Sequence, residues 1–443
     1  MKKTMYKLLS FSFVALVFFS CKPNIDVPKP VKGNLDVSKF VSIGNSITSG
    51  YADNALYADA QLNSYPNLIA QQLKLVGGGD FKQPMVGSTS VGIGSSLNAR
   101  FLLAPLQDCQ GVTSLSPVPV AQQGDLSIFG TSVAAQGPFN NMGVPGAKAI
   151  YVPYAGYGNP SNGQGNYNPY FTRMATDPTS ASILSDAMAQ NPTFFSLDIG
   201  EDDMLAFALA GGAAESISST TNFNASIDAV VGTLTSNGAK GAVANIPSIN
   251  SLPYFTTIPY NGLLLDKNNA DALSSAYAPL GISFHEGYNP FIIEDGSAPG
   301  QMRQIQEGEM ILLSIPQDSL KCGGWGSMKP IPNQYVLTSN EISQINDATE
   351  AFNAKLKATA DAKGLAFVDV NAFMKTVKTG MIYNGVALNA GFVTGGAFSL
   401  DGINLTPLGN ALLANEYIKA INSKYGSSIP QVNATNYKGV AFP

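Results

Sequence analysis

Short apolar runs alternate along this chain with longer segments of helical periodicity, and this alternation limits the possible folds more than any other feature. It is typical of βα units, in which parallel strands form one sheet and helices cover both of its faces. Four runs are predicted to be strands, at 40–43, 193–199, 241–246 and 365–370. The sequence therefore predicts an α/β domain with a parallel sheet.

The two clearest helices lie in the second half of the chain. The first has five residues on one face at spacings of three and four. These residues are Ile342, Ile345, Thr349, Phe352 and Leu356. Thr338 and Glu341 have the spacing of a capping box at its start, and Gly364 fits its end. The second helix is predicted to follow Thr406-Pro407, a helix cap and a first-turn proline.

Two long stretches interrupt the alternation, at about 88–138 and 247–337, and both are rich in glycine, proline and serine. Such segments inside a regular α/β chain are usually ordered loops or small hairpins over the ligand-binding face. Cys109 lies in the first insertion and Cys322 in the second. A disulfide between them would join the insertions, but spacing alone does not show that the side chains meet.

The first twenty residues combine a positively charged start with an apolar stretch too short to span a bilayer, which predicts a signal peptide. Ser20-Cys21 resembles the processing site of bacterial lipoproteins. This resemblance implies a lipid on Cys21 that anchors the protein to a membrane of the cell envelope, facing the periplasm or the cell surface. An ordinary secretory peptide is the alternative. The predicted segments are a signal peptide at 1–20, a tether at 21–36, one domain at 37–428 and a C-terminal extension at 429–443.

The charge balance is weakly acidic, with a net charge of -5 and no basic cluster. This argues against a nucleic-acid partner, which requires a basic surface. Apolar residues make up 45% of the chain and charged residues 12%, which predicts a globular protein rather than a disordered one. The sequence contains no cysteine spacing typical of a metal site.

Several polar residues and glycines follow the predicted strands. Ser46 comes just after the first strand and Asp202 just after the second, while Gly146 ends an intervening loop. Asp401 and Asn404 precede the final helix. The carboxyl ends of parallel strands meet at one edge of a sheet, so we expect these residues to converge there. A serine at such a turn is more often a plain helix cap, and the ordered set therefore carries the argument.

These segments resemble, in the same order, the sequence blocks of the SGNH/GDSL hydrolase family. The family blocks read Gly-Asp-Ser-x, a loop glycine, Gly-x-Asn-Asp and Asp-x-x-His. In this chain they are Gly44-Asn45-Ser46-Ile47, Asn141-Met142-Gly143-Val144-Pro145-Gly146, Gly200-Glu201-Asp202-Asp203 and Asp401-Gly402-Ile403-Asn404. The resemblance implies a flavodoxin-like three-layer α/β/α sandwich, here with two long loop insertions. It also implies hydrolysis of esters on carbohydrates or lipids without a cofactor.

The resemblance assigns a role to each matching position. Ser46 would be the nucleophile, and its backbone N–H and that of Gly146 would be oxyanion donors. Asp202 replaces the asparagine that supplies a third donor; an ionised carboxylate has no proton to donate, whereas a protonated one has. Asn404 replaces the histidine that takes the serine proton, and a neutral amide is not a base at ordinary pH. Asp401 would orient that histidine.

The sequence therefore predicts either an ester hydrolase with non-standard or impaired machinery, or an inactive binding protein for envelope or dietary glycans. His285, the only histidine, is a substitute base or an ordinary loop residue. Three interpretations are open for Glu201, Asp202, Asp203 and Asp401: a site for a hard cation, a direct aspartate base, or acidic caps at helix starts.

A group of aromatic side chains in the loops allows two interpretations. They stack on sugar rings, or they pack loops that lack helices. These residues are Tyr151, Tyr154, Tyr157, Tyr167, Tyr170 and Trp325.

Overall fold

The computed structural model describes residues 29–163, 165–213 and 215–443, so the predicted signal peptide and Cys21 lie outside the described residues. A five-stranded parallel sheet forms the centre of the domain. Its strands are Phe40–Gly44 (β1), Asn141–Gly143 (β2), Phe194–Asp198 (β3), Lys240–Ala244 (β4) and Ala366–Val368 (β5). They are arranged in the order β2-β1-β3-β4-β5, which is the flavodoxin-like order. The predicted fold class is confirmed.

One strand of the sheet was not predicted. Asn141–Gly143 forms the edge strand β2 and pairs with β1 in parallel, with Met142 opposite Ile43. The sequence predicts a loop for this whole segment. Three residues, of which one is asparagine and one glycine, do not form the apolar run by which the other strands were recognised.

Eight of the helices are numbered α1 to α8 in chain order. They are Ser46–Ser49 (α1), Tyr65–Lys74 (α2), Asp202–Leu209 (α3), Thr220–Leu234 (α4), Lys267–Tyr277 (α5), Ser339–Ala362 (α6), Val370–Thr379 (α7) and Pro407–Tyr425 (α8). Other short α-helices occupy Ala58–Leu62, Ser127–Gly130, Pro169–Thr172, Ile183–Met188, Pro253–Thr256 and Gln317–Lys321.

The helices form a layer on each face of the sheet. On one face α6 packs on α3 and α4, where the rings of Phe223 and Phe352 stack with their centroids 4.0 Å apart. On the other face α8 packs on α2 and α7, and the rings of Tyr65 and Tyr417 stack at 4.7 Å. Each amphipathic helix thus covers one side of the buried strands, which gives the three-layer arrangement.

Both helices predicted in detail are present. The five predicted residues on the apolar face of α6 are buried, and Thr338 and Glu341 form the capping box. Gly364 follows α6 with a φ of 66°, a left-handed conformation that glycine adopts readily. In α8 the side chain of Thr406 accepts a hydrogen bond from the Gly409 N–H, as expected for an N-cap.

The insertions contain several small two-stranded sheets. The first insertion contains the hairpin Phe101–Gln107 and Thr113–Pro119. The second contains three strand pairs: Leu263–Leu265 with Gly287–Asn289, Ile292–Glu294 with Met302–Gln304, and Met310–Ile311 with Val336–Leu337. It also contains helix α5, which the composition of this stretch did not indicate. Two further strand pairs, Tyr51–Ala52 with Ala55–Leu56 and Met381–Tyr383 with Val386–Leu388, lie outside the insertions.

A disulfide joins the two insertions. Cys109 and Cys322 are bonded, with their Cα atoms 6.4 Å apart. The possibility left open by the sequence is therefore realised, and the two inserted segments are covalently connected 213 residues apart in the chain.

The first described residues lie along the amino-terminal edge of the sheet. The Asn34 N–H donates to the Tyr425 carbonyl at 3.2 Å, and Lys240 Nζ donates to the Asn34 carbonyl at 2.7 Å. Near the other end of the chain, Ile429 and Val432 are buried in the same hydrophobic core as the sheet. Over the described residues, no helix has the length and apolar character required to cross a bilayer.

Candidate functional site

Ser46 is the first residue of α1 and follows β1 with only Asn45 between them. A side chain at Gly44 would collide with Thr48 Oγ1 and with the Asp198 carbonyl of β3, so only glycine allows this close approach. Ser46 is half-buried, and its carbonyl accepts a hydrogen bond from Ser49 Oγ at 2.7 Å. The local fold therefore presents the serine at the carboxyl edge of the sheet, directly after β1.

The segment that contains Gly146 lies beside α1. A side chain at Gly143 would collide with the backbone of Thr48 and Ser49, and Asn141 Nδ2 donates to the Thr48 carbonyl at 2.8 Å. Strand β2 therefore ends directly against α1. Gly146 has a φ of 76°, which disfavours any residue with a side chain. The loop that contains Gly146 thus begins next to α1, the helix that starts with Ser46.

Asp401 and Asn404 form a compact hydrogen-bonded unit before α8. Asp401 Oδ1 accepts from the backbone N–H groups of Ile403 at 2.9 Å and Asn404 at 2.8 Å. Asp401 Oδ2 accepts from Asn404 Nδ2 at 3.0 Å and from the Asn54 N–H at 3.1 Å. Both side chains are buried. The amide of Asn404 therefore makes the hydrogen bond to a carboxylate that a histidine makes in a serine triad.

The segment after α1 connects Ser46 to this unit. The Asp53 N–H donates to Ser399 Oγ at 3.1 Å, and Asp53 Oδ1 accepts from the Leu400 N–H at 2.9 Å. Tyr57 donates its hydroxyl proton to Asp53 Oδ2 at 2.6 Å. Burial raises the pKa of Asp53, and its hydrogen bond with Tyr57 opposes that shift. Asp53 was not predicted, because nothing in the sequence around it indicates contacts with Ser399 and Leu400.

Three acidic residues stand at the start of α3. Burial, reinforced by the charge of Asp202, raises the pKa of Glu201 to about 8. Burial, reinforced by the charge of Asp203, raises the pKa of Asp202 to about 7. Asp203 Oδ2 accepts a hydrogen bond from the Ala149 N–H at 2.7 Å, and burial raises its pKa as well. Near neutral pH this cluster therefore holds protons that ordinary surface carboxylates have lost.

Asn45 lies between the serine and the acidic cluster. Its side chain is buried, and neither atom of its amide has a hydrogen-bond partner within the part of the chain that the structure describes. It lies beside the carboxyl groups of Glu201 and Asp202 and lowers the pKa of each, without reaching hydrogen-bond geometry. Asp202 Oδ2 is likewise buried and unpartnered among these residues.

Two further residues near the site were not selected from the sequence. Lys148 follows Gly146 by two positions, forms an ion pair with Glu215 and lowers the pKa of Asp202. Asp198, at the end of β3, accepts a hydrogen bond from the Tyr417 hydroxyl at 3.1 Å. Burial raises the pKa of Asp198 to about 7. An acidic residue at the end of a strand is the signal that could have identified it.

The structure does not bring His285 to Ser46. The side chain of His285 is exposed, and its Nδ1 atom lies 2.9 Å from the carbonyl of the adjacent Glu286. Among the hydrogen bonds of residues 29–163, 165–213 and 215–443, none connects His285 to Ser46 or Asp401. The same part of the chain contains no cluster of three histidine, cysteine, aspartate or glutamate side chains able to hold a metal ion.

The loop tyrosines mainly pack against each other. Tyr157 and Tyr170 are buried, and the ring of Tyr157 stacks on that of Tyr151 at 4.5 Å. Tyr154 remains 48% exposed. Trp325 is half-buried against Tyr335, with the ring centroids 5.6 Å apart. The packing interpretation therefore holds for the buried tyrosines, while the side chain of Tyr154 is available to a ligand.

No family model matches the chain. No curated protein matches it either. Among solved structures, the chain is similar to a crystal structure from Parabacteroides merdae ATCC 43184 of a protein provisionally named a GDSL-like lipase. The two share 12% sequence identity, with a TM-score of 0.34, over 89% of this chain and 99% of the other. This distant similarity carries no conclusion about the site.

Proposed function

We propose that the protein binds acyl esters at Ser46, in an SGNH/GDSL-type ester hydrolase site whose turnover is impaired. The observation that carries this proposal is the hydrogen bond of 3.0 Å from Asn404 Nδ2 to Asp401 Oδ2. It reproduces the contact between the acid and the base of a serine triad, but the amide cannot accept the serine proton. The site would therefore keep the orientation of a hydrolase without its general base.

The retained features favour ester binding. Ser46 begins a helix at the edge of the sheet, and the Gly146 loop lies against that helix. Backbone N–H groups at these two positions would polarise an ester carbonyl. Loss of the base in a serine triad reduces the rate by roughly four to six orders of magnitude, whereas the remaining donors and binding still give about a thousandfold over water. Slow turnover and undiminished binding are the expected combination.

The ligand would be an acylated carbohydrate or lipid of the cell envelope. This part of the proposal rests on the resemblance of the sequence blocks and on the predicted lipoprotein processing site, which implies a membrane anchor on Cys21. It requires no cofactor and no nucleic-acid partner. The exposed ring of Tyr154 supports a carbohydrate component, because aromatic faces stack on sugars.

A second candidate is a working hydrolase with a carboxylate base. The observation in its favour is that burial raises the pKa of Asp202 to about 7 and that of Glu201 to about 8. A carboxylate with such a pKa is a stronger base than an ordinary one and matches neutral pH. In this case the rate would increase with pH up to about 8, as the acidic cluster loses its protons.

Hydrolysis of p-nitrophenyl butyrate by the protein beginning at Lys22 distinguishes the two candidates. We expect very slow turnover by the wild type, and at least about a hundredfold gain in Asn404→His, because the imidazole would sit on Asp401 and accept the serine proton. The additional change Asp202→Asn should increase the gain by restoring an amide donor.

The control is Ser46→Ala in both backgrounds, which should remove the gain and the fluorophosphonate labelling that Asn404→His acquires. Fast wild-type turnover that is lost in Ser46→Ala and increases through pH 7 to 8 would instead establish the carboxylate-base hydrolase. Absence of ester binding by the wild type, together with no gain in turnover or labelling in Asn404→His, would contradict the proposal altogether.

A further inference from the structure

Asn45 is a buried side chain whose amide lacks a hydrogen-bond partner. Its exposure is 1%, and neither Oδ1 nor Nδ2 is bonded to another of the residues that the structure describes. Asn45 stands at the N-cap position of α1, yet its side chain accepts no hydrogen bond from that helix. A buried amide in this state is unfavourable, because both atoms have given up their hydrogen bonds to water. The side chain therefore indicates a partner that this part of the protein does not itself supply.

The pairing of two strands brings this amide to the acidic cluster. Strands β1 and β3 are parallel neighbours, with Gly44 opposite Asp198. Asn45 is the first residue after β1, and Glu201 is the third residue after β3. Both residues therefore leave the sheet at its carboxyl edge. The Asn45 side chain lies beside the carboxyl groups of both Glu201 and Asp202.

The groups that meet at this point are mainly acceptors. Asp202 Oδ2 is buried and, like Asn45 Oδ1, has no partner among the described residues. An ionised carboxylate and an amide oxygen can only accept, so a proton or a cation must lie between them to satisfy both. The NH₂ group of Asn45 can donate to a carboxylate, but its own oxygen then still lacks a partner. An additional positively charged group is the partner that this cluster requires.

The side chains of the protein do not supply that positive charge. Lys148 acts on Asp202 through its charge, but its Nζ atom is engaged in the ion pair with Glu215. In the described part of the chain, no ion pair includes Glu201 or Asp202. The burial of two carboxylates without a counter-ion is costly, which favours an ion that comes from the solution.

The ligands favour a hard divalent cation, and Ca²⁺ in particular. Carboxylate and amide oxygens are the protein ligands of both Ca²⁺ and Mg²⁺. Over the described residues, no three acidic, histidine or cysteine side chains form a metal cluster, so the amide oxygen of Asn45 would be the third protein ligand. Two carboxylates balance the charge of one divalent ion. Ca²⁺ accepts irregular geometry, whereas Mg²⁺ demands a near-ideal octahedron and keeps several waters, for which a buried site leaves little room.

We infer that Asn45, Glu201 and Asp202 form a Ca²⁺ site, in which Asn45 Oδ1, Asp202 Oδ2 and the Glu201 carboxylate bind the ion. The site would give Asp202 a role at the position where the resembled family has asparagine. The inference does not depend on ester binding at Ser46. With only three protein ligands, the expected Kd for Ca²⁺ is about 10⁻⁴ to 10⁻³ M, the range of the weaker protein sites.

Titration calorimetry with CaCl₂ tests the site, on protein that begins at Lys22 and has been freed of metal ions by a chelator. We expect the wild type to bind one Ca²⁺ ion, and to bind Mg²⁺ at least about tenfold more weakly. Asn45→Asp adds a third carboxylate and should tighten Ca²⁺ binding about tenfold, a gain that a damaged fold cannot produce. Glu201→Gln with Asp202→Asn should weaken it at least about 100-fold, because both charged ligands are lost.

The matched control is Asp347→Asn with Glu350→Gln, which removes the same two charges from exposed positions of α6. It should leave the Kd for Ca²⁺ unaltered. Absence of Ca²⁺ binding by the wild type at about 10 mM overturns the inference and means that protons balance the cluster. Binding that Glu201→Gln with Asp202→Asn leaves unaltered places the ion elsewhere and overturns it as well. Equal affinities of the wild type and Asn45→Asp would exclude residue 45 as a ligand and have the same consequence.

Discussion

The two sides of the candidate site are constructed by different means. The side that carries Ser46 is set by backbone packing, because Gly44 and Gly143 allow β1, β2 and β3 to meet α1 without side chains between them. The side that carries Asp401 and Asn404 is held by hydrogen bonds from polar side chains. A single exchange on the second side can preserve its geometry and remove its chemistry, whereas the first side tolerates little change at all.

The largest effect should come from the backbone-defined side. Gly143→Ala places a methyl group against the backbone of Thr48 and Ser49, which cannot move without shifting α1. We expect a loss of about 3 kcal/mol or more in the free energy of unfolding, measured by urea denaturation. Gly232→Ala is the control, because this position in α4 faces open space and should be neutral or slightly stabilising. Similar results for the two variants would contradict this description of the serine side.

Much of the scaffold could be predicted from the sequence. Strands β1, β3, β4 and β5 are apolar runs that can be recognised from the sequence alone. Helix α6 has both an apolar face and a capping box. Strand β2 was missed because three residues at a sheet edge gain their structure from β1 and from the contact with α1. Helix α5 was missed because it buries only Ala270 and Tyr277, which is too little for a periodic pattern.

The candidate site was predicted less completely than the scaffold. Residues next to strand ends, such as Ser46, could be chosen because strand ends of a parallel sheet converge. Asp53 and Lys148 could not be identified from the sequence, because their roles depend on contacts across loops whose path the sequence does not define. The environment of Asn45 was also inaccessible, since burial and a missing hydrogen-bond partner are properties of the folded state.

The contact between Asn45 and the acidic cluster can be tested by exchanging an amide and a carboxyl group. Asn45→Asp puts another carboxyl group beside Glu201 and Asp202 in a buried position. We expect a loss of about 2 kcal/mol at pH 8, measured by urea denaturation, and a smaller loss at pH 5, where these groups are protonated.

The double variant Asn45→Asp with Asp202→Asn restores one amide and one carboxyl group, so it should recover most of the stability. This double-mutant cycle should give a coupling energy of about 1 kcal/mol or more. Asn237→Asp, at an exposed position, should change the stability by less than about 0.5 kcal/mol. Additive effects of the two substitutions would show that residues 45 and 202 do not interact.

The acidic cluster at the start of α3, Glu201, Asp202 and Asp203, should also make the stability depend on pH. Burial raises the pKa of Asp202 to about 7, so between about pH 4 and pH 7 the folded state binds more protons than the unfolded state. The free energy of unfolding should therefore decrease as the pH rises through this range. In Asp202→Asn the free energy of unfolding should fall less over this range, by about 1 kcal/mol. The difference is modest because Asp202 is partly exposed and solvent screens its charge.

The comparison for this effect is Asp177→Asn. Hydrogen bonds with Ser180 and Thr179 lower the pKa of Asp177, so its contribution is lost only as the pH falls through the acidic range. Urea denaturation between pH 5 and pH 8 should leave the slope of this variant equal to that of the wild type. A slope that Asp202→Asn leaves unaltered would place the titrating group elsewhere.

The smallest predicted effect concerns the contact between the Gly146 loop and the acidic cluster. Lys148 follows the Gly146 loop, and its charge lowers the pKa of Asp202. Lys148→Gln should therefore reduce the free energy of unfolding by about 0.5 kcal/mol more at pH 8 than at pH 5, because Asp202 is ionised only at the higher pH. Glu215, the ion-pair partner of Lys148, is exposed, so this surface pair should contribute little to the stability. Lys419→Gln removes a comparable surface pair with Glu416 and should show no such difference. An equal loss at both pH values for Lys148→Gln would mean that the charge of Lys148 supports its pair with Glu215 and does not act on Asp202.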